Sequence, residues 1–151
     1  MKIRLIIYDF DGVMTDNKVY VDQNGNEMVQ VNRADGLGIS EIAKLGIKQI
    51  IISTEKNPVV RSRAKKLGIA CFQGIENKRD ILKSESKKMN IDRDKIAYVG
   101  NDINDLYAMQ FCGIKFCPSD AHQKIIDISD VVLDSKGGEG IARELLDLIT
   151  K

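Results

Sequence analysis

The chain has 151 residues, 30% charged and 43% hydrophobic, with 23 Lys+Arg against 22 Asp+Glu and a formal net charge of +1. Its length suffices for one sizeable core, burying roughly 68–70% of the unfolded surface. The balanced charge and the four Phe, four Tyr and no Trp offer neither a basic field for nucleic acid or an anionic membrane nor a base-stacking platform. No apolar run approaches the ~18 residues of a membrane span, and acids stand where a signal peptide would have its apolar middle. Cys71, Cys112 and Cys117 show no Cys-x-x-Cys spacing, as expected of reduced thiols in a cytoplasmic protein. With one His, a Cys/His zinc site is not expected, and any metal should be a hard ion held by oxygen.

Ile3 to Tyr8 is a nearly continuous apolar run, the pattern of a buried parallel strand. Lys18 to Val31 differs: Val19 and Val21 alternate with polar residues, Asn24-Gly25 follows, then Met28, Val29 and Val31, which predicts a β-hairpin over about 17–32. Next come a helix near Asp35–Leu45, a strand Gln49–Ile52 and a helix near Pro58–Leu67, its proline suited to a first turn. Ile69–Phe72 reads as a strand, Asn77–Met89 as a helix, Ile96–Val99 as a strand, Asn104–Gln110 as a helix, and Ile114–Cys117 and Val131–Leu133 as strands. Ile141, Leu145 and Ile149 make one stripe of a terminal helix. This alternation predicts one α/β domain over 1–151: a Rossmann-like parallel sheet with helices on both faces and a hairpin inserted after the first strand.

Ligands of such sheets bind outside the carboxyl ends of the strands. Asp9, Asp11 and Asp16 follow the first strand, Ser53 and Thr54 the second central one, and Gly100, Asn101, Asp102, Asn104 and Asp105 the fourth, while Lys78 opens a helix. Asp9 and Asp11, two apart in an extended segment, point the same way and call for a cation or a shared proton. Three or four carboxylates around one point fit Mg²⁺. One of them can attack phosphorus while its neighbour moves the proton, and Lys78 and Ser53 suit the phosphoryl oxygens. Taken singly, Asp-x-Asp or Ser-Thr after a strand is an ordinary turn or cap. All four groups in order, each at a strand end or helix start, point to phosphoryl transfer.

Asp9-Phe10-Asp11-Gly12-Val13-Met14-Thr15-Asp16 resembles motif I of the haloacid dehalogenase superfamily, Ser53 motif II, Lys78 motif III and Gly100-Asn101-Asp102-Ile103-Asn104-Asp105 motif IV. The resemblance implies Asp9 as nucleophile and Asp11 as acid/base. It implies Mg²⁺ on Asp9, the Asp11 main-chain carbonyl and Asp102, with Asp105 supporting the metal site. Over nearly the whole chain, the hairpin, Asn32-Arg33-Ala34-Asp35-Gly36, Arg63-Ala64-Lys65-Lys66-Leu67-Gly68 and Gly137-Gly138-Glu139-Gly140 resemble the 3-deoxy-D-manno-octulosonate 8-phosphate phosphatase family. That family is capless, and neither gap between motifs here holds a domain of ~50 residues. It forms homotetramers whose hairpins line neighbouring sites, and its glycine-rich C-terminal segment can reach a neighbour's pocket.

The chain departs from that family at Ala34 and at Thr54-Glu55, where arginines usually stand. Glu55 and Lys66 are similar to the branch that acts on nine-carbon sugar acids. The resemblance therefore implies a cytoplasmic Mg²⁺-dependent phosphatase of a 3-deoxy-2-ulosonic acid phosphate, with a nine-carbon acid expected over the eight-carbon one. Its substrate contacts would be Asn32, Asp35, Gly36, Thr54, Glu55, Arg63 and Lys66. The alternative of another class is a non-catalytic oligomerisation domain like the tail of animal sialic acid cytidylyltransferases, against which the intact Asp9, Asp11, Lys78 and Asp102 count. A phospho-accepting receiver domain is disfavoured, because its acceptor follows the third strand and Asp9 follows the first.

Overall fold

The computed structural model describes residues 2–151. Its centre is β1 (Leu5–Tyr8), every residue of it buried. Parallel neighbours flank it: β4 (Lys48–Ile52), with Tyr8 opposite Ile51, and β6 (Ile96–Val99), with Tyr8 opposite Val99. Outside these lie β5 (Ala70–Phe72) on one side and β7 (Ile114–Cys117) and β8 (Val131–Val132) on the other, giving the all-parallel order β5-β4-β1-β6-β7-β8. Chain order and strand order part company at β1, which leaves a crevice at the carboxyl ends of β1, β4 and β6.

Because side chains alternate along a strand, the apolar runs supply two cores at once. Ile6, Tyr8, Ile51, Ala97 and Val99 pack on one face with residues of α1 (Arg33–Lys44), α2 (Val59–Leu67) and α6 (Ile141–Ile149). Leu5, Ile7, Ile50, Ile52, Ile96 and Tyr98 pack on the other with residues of α3 (Lys78–Lys88), α4 (Leu106–Phe111) and α5 (Gln123–Ile126). The last helix carries the expected stripe, with Ile141 and Leu145 fully buried. Two short 3-10 turns, Arg93–Lys95 and Ile103–Asp105, and α5 had no periodicity to announce them.

The inserted hairpin consists of β2 (Tyr20–Val21) and β3 (Glu27–Met28), antiparallel, with Tyr20 opposite Met28. Asp22 closes its tip: Oδ1 accepts the N–H groups of Asn24 (2.8 Å) and Asn26 (2.9 Å). Gly25 takes the left-handed conformation (φ 80°) there. Between Ser53 and Lys78 the chain forms only α2 and β5, so no cap covers the crevice from that side.

Candidate active site

Asp9 stands directly after β1 and continues its ladder, its N–H donating to the Val99 carbonyl (3.0 Å). Lys78 opens α3, whose N-terminus is capped by Asn77 accepting the Asp80 N–H (3.2 Å). That cap sends the lysine side chain inward. It is 2% exposed, and its Nζ lies 2.8 Å from Asp9 Oδ1 and 2.8 Å from Asp105 Oδ1. Burial alone would lower the ammonium's pKa, but Asp9 and Asp105 outweigh it and hold Lys78 above its ordinary value. Burial pushes Asp9 up, the Asp105 charge adds to this, and Lys78 opposes both.

Asp105 is fully buried and accepts from all sides: Lys78 Nζ and Tyr98 Oη on Oδ1, and the N–H groups of Asn101 (3.0 Å) and Asp102 (3.3 Å) on Oδ2. Ser53 follows β4, is 1% exposed, and accepts the Glu55 N–H on Oγ (3.1 Å), which leaves its hydroxyl proton available to donate. A cleft of about 270 Å³ is lined by Asp9, Asp11, Asn17, Ser53, Thr54, Asn101 and Asp102, among others. Asp11 also borders an adjoining hollow of about 220 Å³ with Glu27 and Glu55. Burial raises the Asp11 pKa, and the Glu55 and Glu27 charges raise it further against Lys78. An acid that holds its proton more tightly than usual beside a buried carboxylate suits proton donation to a leaving group.

The motif I loop is held at close quarters. Gly12 has φ 83°, and a Cβ there would collide with the Asn101 amide. A Cβ at Gly137 would collide with the Gly12 carbonyl oxygen, and the Gly138 N–H donates to Val13 O (2.9 Å). The glycine-rich segment before α6 thus rests on the loop that follows β1 in its own chain.

For a hard cation, the oxygens present fit. Asp9 Oδ2 and the Asp11 main-chain carbonyl share one neighbour, a terminal atom of the Asn101 amide, at 3.0 and 2.9 Å, so both aim at one point. The expected convergence of three or four carboxylates is not what the fold provides. Among the described residues no three His, Cys, Asp or Glu side chains form a metal-binding group. Asp102 borders the cleft, and its Oδ1 accepts the Ile103 N–H (2.7 Å).

The expected substrate contacts divide. Thr54 lines the cleft, and Glu55 lines the hollow while its Oε1 accepts the N–H groups of Lys56 (2.9 Å) and Asn57 (2.8 Å). Asn32, Asp35 and Arg63 are engaged within the fold instead. Asn32 caps α1 by accepting the Ala34 N–H (2.8 Å), donates to Gly138 O (3.2 Å), and receives Arg63 Nη2 on its carbonyl (3.0 Å). Asp35, 1% exposed, accepts the Ala142 N–H at the start of α6 (2.8 Å). Gly36 faces Leu67 of α2, and Lys66 is exposed on that helix. The sequence pattern assigns no role to Tyr98 and places Asn101 at the rim without a role of its own.

The family model for haloacid dehalogenase-like hydrolases matches residues 73–145. The 3-deoxy-D-manno-octulosonate 8-phosphate phosphatase of Salmonella typhi is 36% identical over 148 residues, covering 97% of this chain and 79% of that protein. That of Haemophilus influenzae is 34% identical, covering 97% and 82%. A haloacid dehalogenase family hydrolase structure from Streptomyces avermitilis superposes with a TM-score of 0.93 at 40% identity, over 95% of this chain and 83% of that one. The octulosonate phosphatase structure from Moraxella catarrhalis, solved with a magnesium ion, a phosphate ion and the sugar acid, gives 0.93 at 32% identity, over 98% and 86%.

Proposed function

The chain belongs to the haloacid dehalogenase-like hydrolases and, within them, to the 3-deoxy-D-manno-octulosonate 8-phosphate phosphatase family, and from that membership we propose that it hydrolyses the terminal phosphate of a 3-deoxy-2-ulosonic acid phosphate. It is a phosphoric monoester hydrolase, and its cofactor is Mg²⁺. The observation that carries the reaction is Lys78 Nζ bridging Asp9 and Asp105 at 2.8 Å beside Ser53 and Asp11.

A carboxylate oxygen of Asp9 attacks phosphorus as the phosphorus–oxygen bond to the sugar breaks, and Asp11 gives its proton to the departing alkoxide. Asp11 then takes a proton from water as that water attacks the aspartyl-phosphate, freeing phosphate and the Asp9 carboxylate. Lys78 and the Ser53 hydroxyl hold the phosphoryl oxygens as charge gathers on them. Asp9 Oδ2 and the Asp11 carbonyl would hold the magnesium ion, with a third protein oxygen from the turn after β6. When bound, that ion neutralises phosphoryl charge.

The relatives named above act, by their names, on the eight-carbon ester, and that substrate is our first reading. The nine-carbon ester is the second, favoured by Glu55, which with Asp11 and Glu27 lines the hollow beside the cleft and offers acceptors to further hydroxyls. Magnesium-dependent phosphate release from both esters, compared as kcat/KM, tests the proposal. Preference for the eight-carbon ester is expected, preference for the nine-carbon one assigns Glu55 a specificity role, and turnover of neither refutes the reaction.

Assembly as a homotetramer with hairpins walling neighbouring clefts belongs to the same proposal, supported by the exposed Val19, Tyr20, Val21 and Met28. Cytoplasmic residence is supported by three free cysteines. Among the described residues no helix is long and apolar enough to cross a membrane.

A further inference from the structure

The cleft is too small for a whole sugar-acid phosphate. It encloses about 270 Å³, below the roughly 300–1,000 Å³ of small-molecule sites, and the phosphoryl group belongs there beside Asp9 and Ser53. The leaving group must therefore extend beyond it, and two hollows continue the cleft on opposite faces of the sheet. On the side of α2 and the hairpin, the hollow of about 220 Å³ carries Asp11, Glu27 and Glu55 and no cation. On the side of α3 and α4, a hollow of about 380 Å³ is lined by Asn77, Arg79, Asn104 and Tyr107, among others. Asn104 borders both the cleft and this second hollow. Its Nδ2 reaches Thr54 Oγ1 at 3.5 Å, a contact too long to hold against a ligand.

A ulosonic acid phosphate carries a second anion, its carboxylate, at the end of the chain away from the phosphate. The three acids of the first hollow repel it. Among the described residues that line the cleft and the two hollows, the cations are Lys78 and Arg79. Lys78 is already held between Asp9 and Asp105. Arg79 is exposed and makes no ion pair among the described residues. Arg63 and Lys66, the basic residues expected to contact substrate, line none of the three spaces.

Resting on the phosphatase reading above, we propose that Arg79 is a specificity residue that receives the substrate's carboxylate, with the sugar ring lying against Tyr107 and its hydroxyls turned to the acids across the cleft.

Three features support this. Arg79 follows Lys78 in the first turn of α3, so the Asn77 cap that sends Lys78 to Asp9 also fixes the backbone from which Arg79 projects. Its guanidinium can hold a carboxylate by two parallel hydrogen bonds, and the positive end of the α3 dipole adds to the attraction. Tyr107 is 68% exposed at the edge of the cleft, a flat apolar face with a polar tip that suits a sugar ring. One charge opposes the arrangement, Glu76, which lines the same hollow and gives the proposal a test of sign. Eight- and nine-carbon acids both carry the carboxylate, so Arg79 selects acid over neutral sugar phosphates, whatever Glu55 does for chain length.

The experiment compares kcat/KM for 3-deoxy-D-manno-octulosonate 8-phosphate with that for ribose 5-phosphate, which has no carboxylate, at low ionic strength. The proteins are wild type, R79Q, E76Q and Y107A, all changed at exposed positions. The ratio of the acid ester to the neutral one should fall about tenfold or more in R79Q, through KM, fall also in Y107A, and rise about twofold in E76Q. A second arm titrates the free eight-carbon acid calorimetrically with Mg²⁺ and phosphate present, where R79Q should bind about tenfold more weakly than wild type. An unchanged ratio in R79Q, a lowered ratio in E76Q, or equal affinity of R79Q and wild type for the free acid overturns the assignment. So does an R79Q whose assembly shifts in light scattering while the ratio stays, a result that makes the hollow a contact between copies. If wild type hydrolyses no ulosonate ester, the proposed reaction fails on that result and the titration decides Arg79 by itself: weaker binding in R79Q supports it, and no binding by wild type overturns it.

Discussion

Tyr98 and Lys78 donate to the same oxygen of Asp105, each at 2.8 Å. Burial pushes the Tyr98 phenol well above its ordinary pKa, and the charges of Asp105 and Asp9 push it further, so it remains a donor. It fixes Asp105, and Asp105 fixes Lys78 on Asp9. Tyr98→Phe should therefore lower kcat about tenfold, leave KM within about twofold, and cost about 1 kcal/mol of stability for one hydrogen bond. Steady-state kinetics and urea melts check this, and an unchanged kcat would show the phenol to be only a core residue.

Removing Lys78 and removing the Asp9 charge should have opposite signatures. Lys78→Met leaves the buried carboxylates of Asp9 and Asp105 without their shared cation, a loss of about 3–5 kcal/mol. Asp9→Asn leaves Lys78 paired with Asp105, so the fold should hold while phosphate release drops about a thousandfold or more. Substantial activity in Asp9→Asn would remove it as nucleophile.

The reasons some of this site was legible are local. β1 is an unbroken apolar run, so its end and the carboxylate beyond it could be placed, and Ser53 and Lys78 sit at equally plain boundaries. Tyr98 was not legible, because in a buried strand an aromatic reads as core whatever its hydroxyl touches. Asn101 and Asp102 lie in a turn, where no period says which side chain faces inward. Asn32 and Asp35 meet Gly138 and Ala142, more than a hundred positions away, a pairing that only the folded chain displays.

Asp35 makes a prediction of its own. Burial lifts its pKa from 3.8 to about 6, against the opposing Ala142 N–H and Arg63, and its Oδ2 is buried without a partner. The folded state therefore keeps a proton that the unfolded chain has released, and stability falls as pH rises from about 4 to about 6. Asp35→Asn retains an acceptor for Ala142 and removes the ionisation, so it should be more stable than wild type at pH 8 by about 3 kcal/mol, with the gain gone near pH 4. Urea melts at the two pH values test this, and a difference independent of pH would mean that Asp35 does not titrate in this window.

The hairpin carries the last prediction. Tyr20 and Met28 face each other across two strands of two residues and are 71% and 64% exposed. So short a ribbon is marginal alone, and a large aromatic and a methionine paired in water gain little until another surface covers them. Glu27 of the same ribbon and Asp11 border one hollow, so whatever packs on the hairpin tip also sets how that hollow is walled. Tyr20→Glu with Met28→Lys should shift a tetramer to smaller species in light scattering. It should also lower kcat/KM for the sugar phosphate about tenfold while sparing a small ester such as p-nitrophenyl phosphate, because the distant walls of a pocket bind the leaving group and not the phosphoryl group. A wild-type monomer would detach the hairpin from assembly, and equal losses on both esters would place its effect on Asp11 rather than on the leaving-group wall.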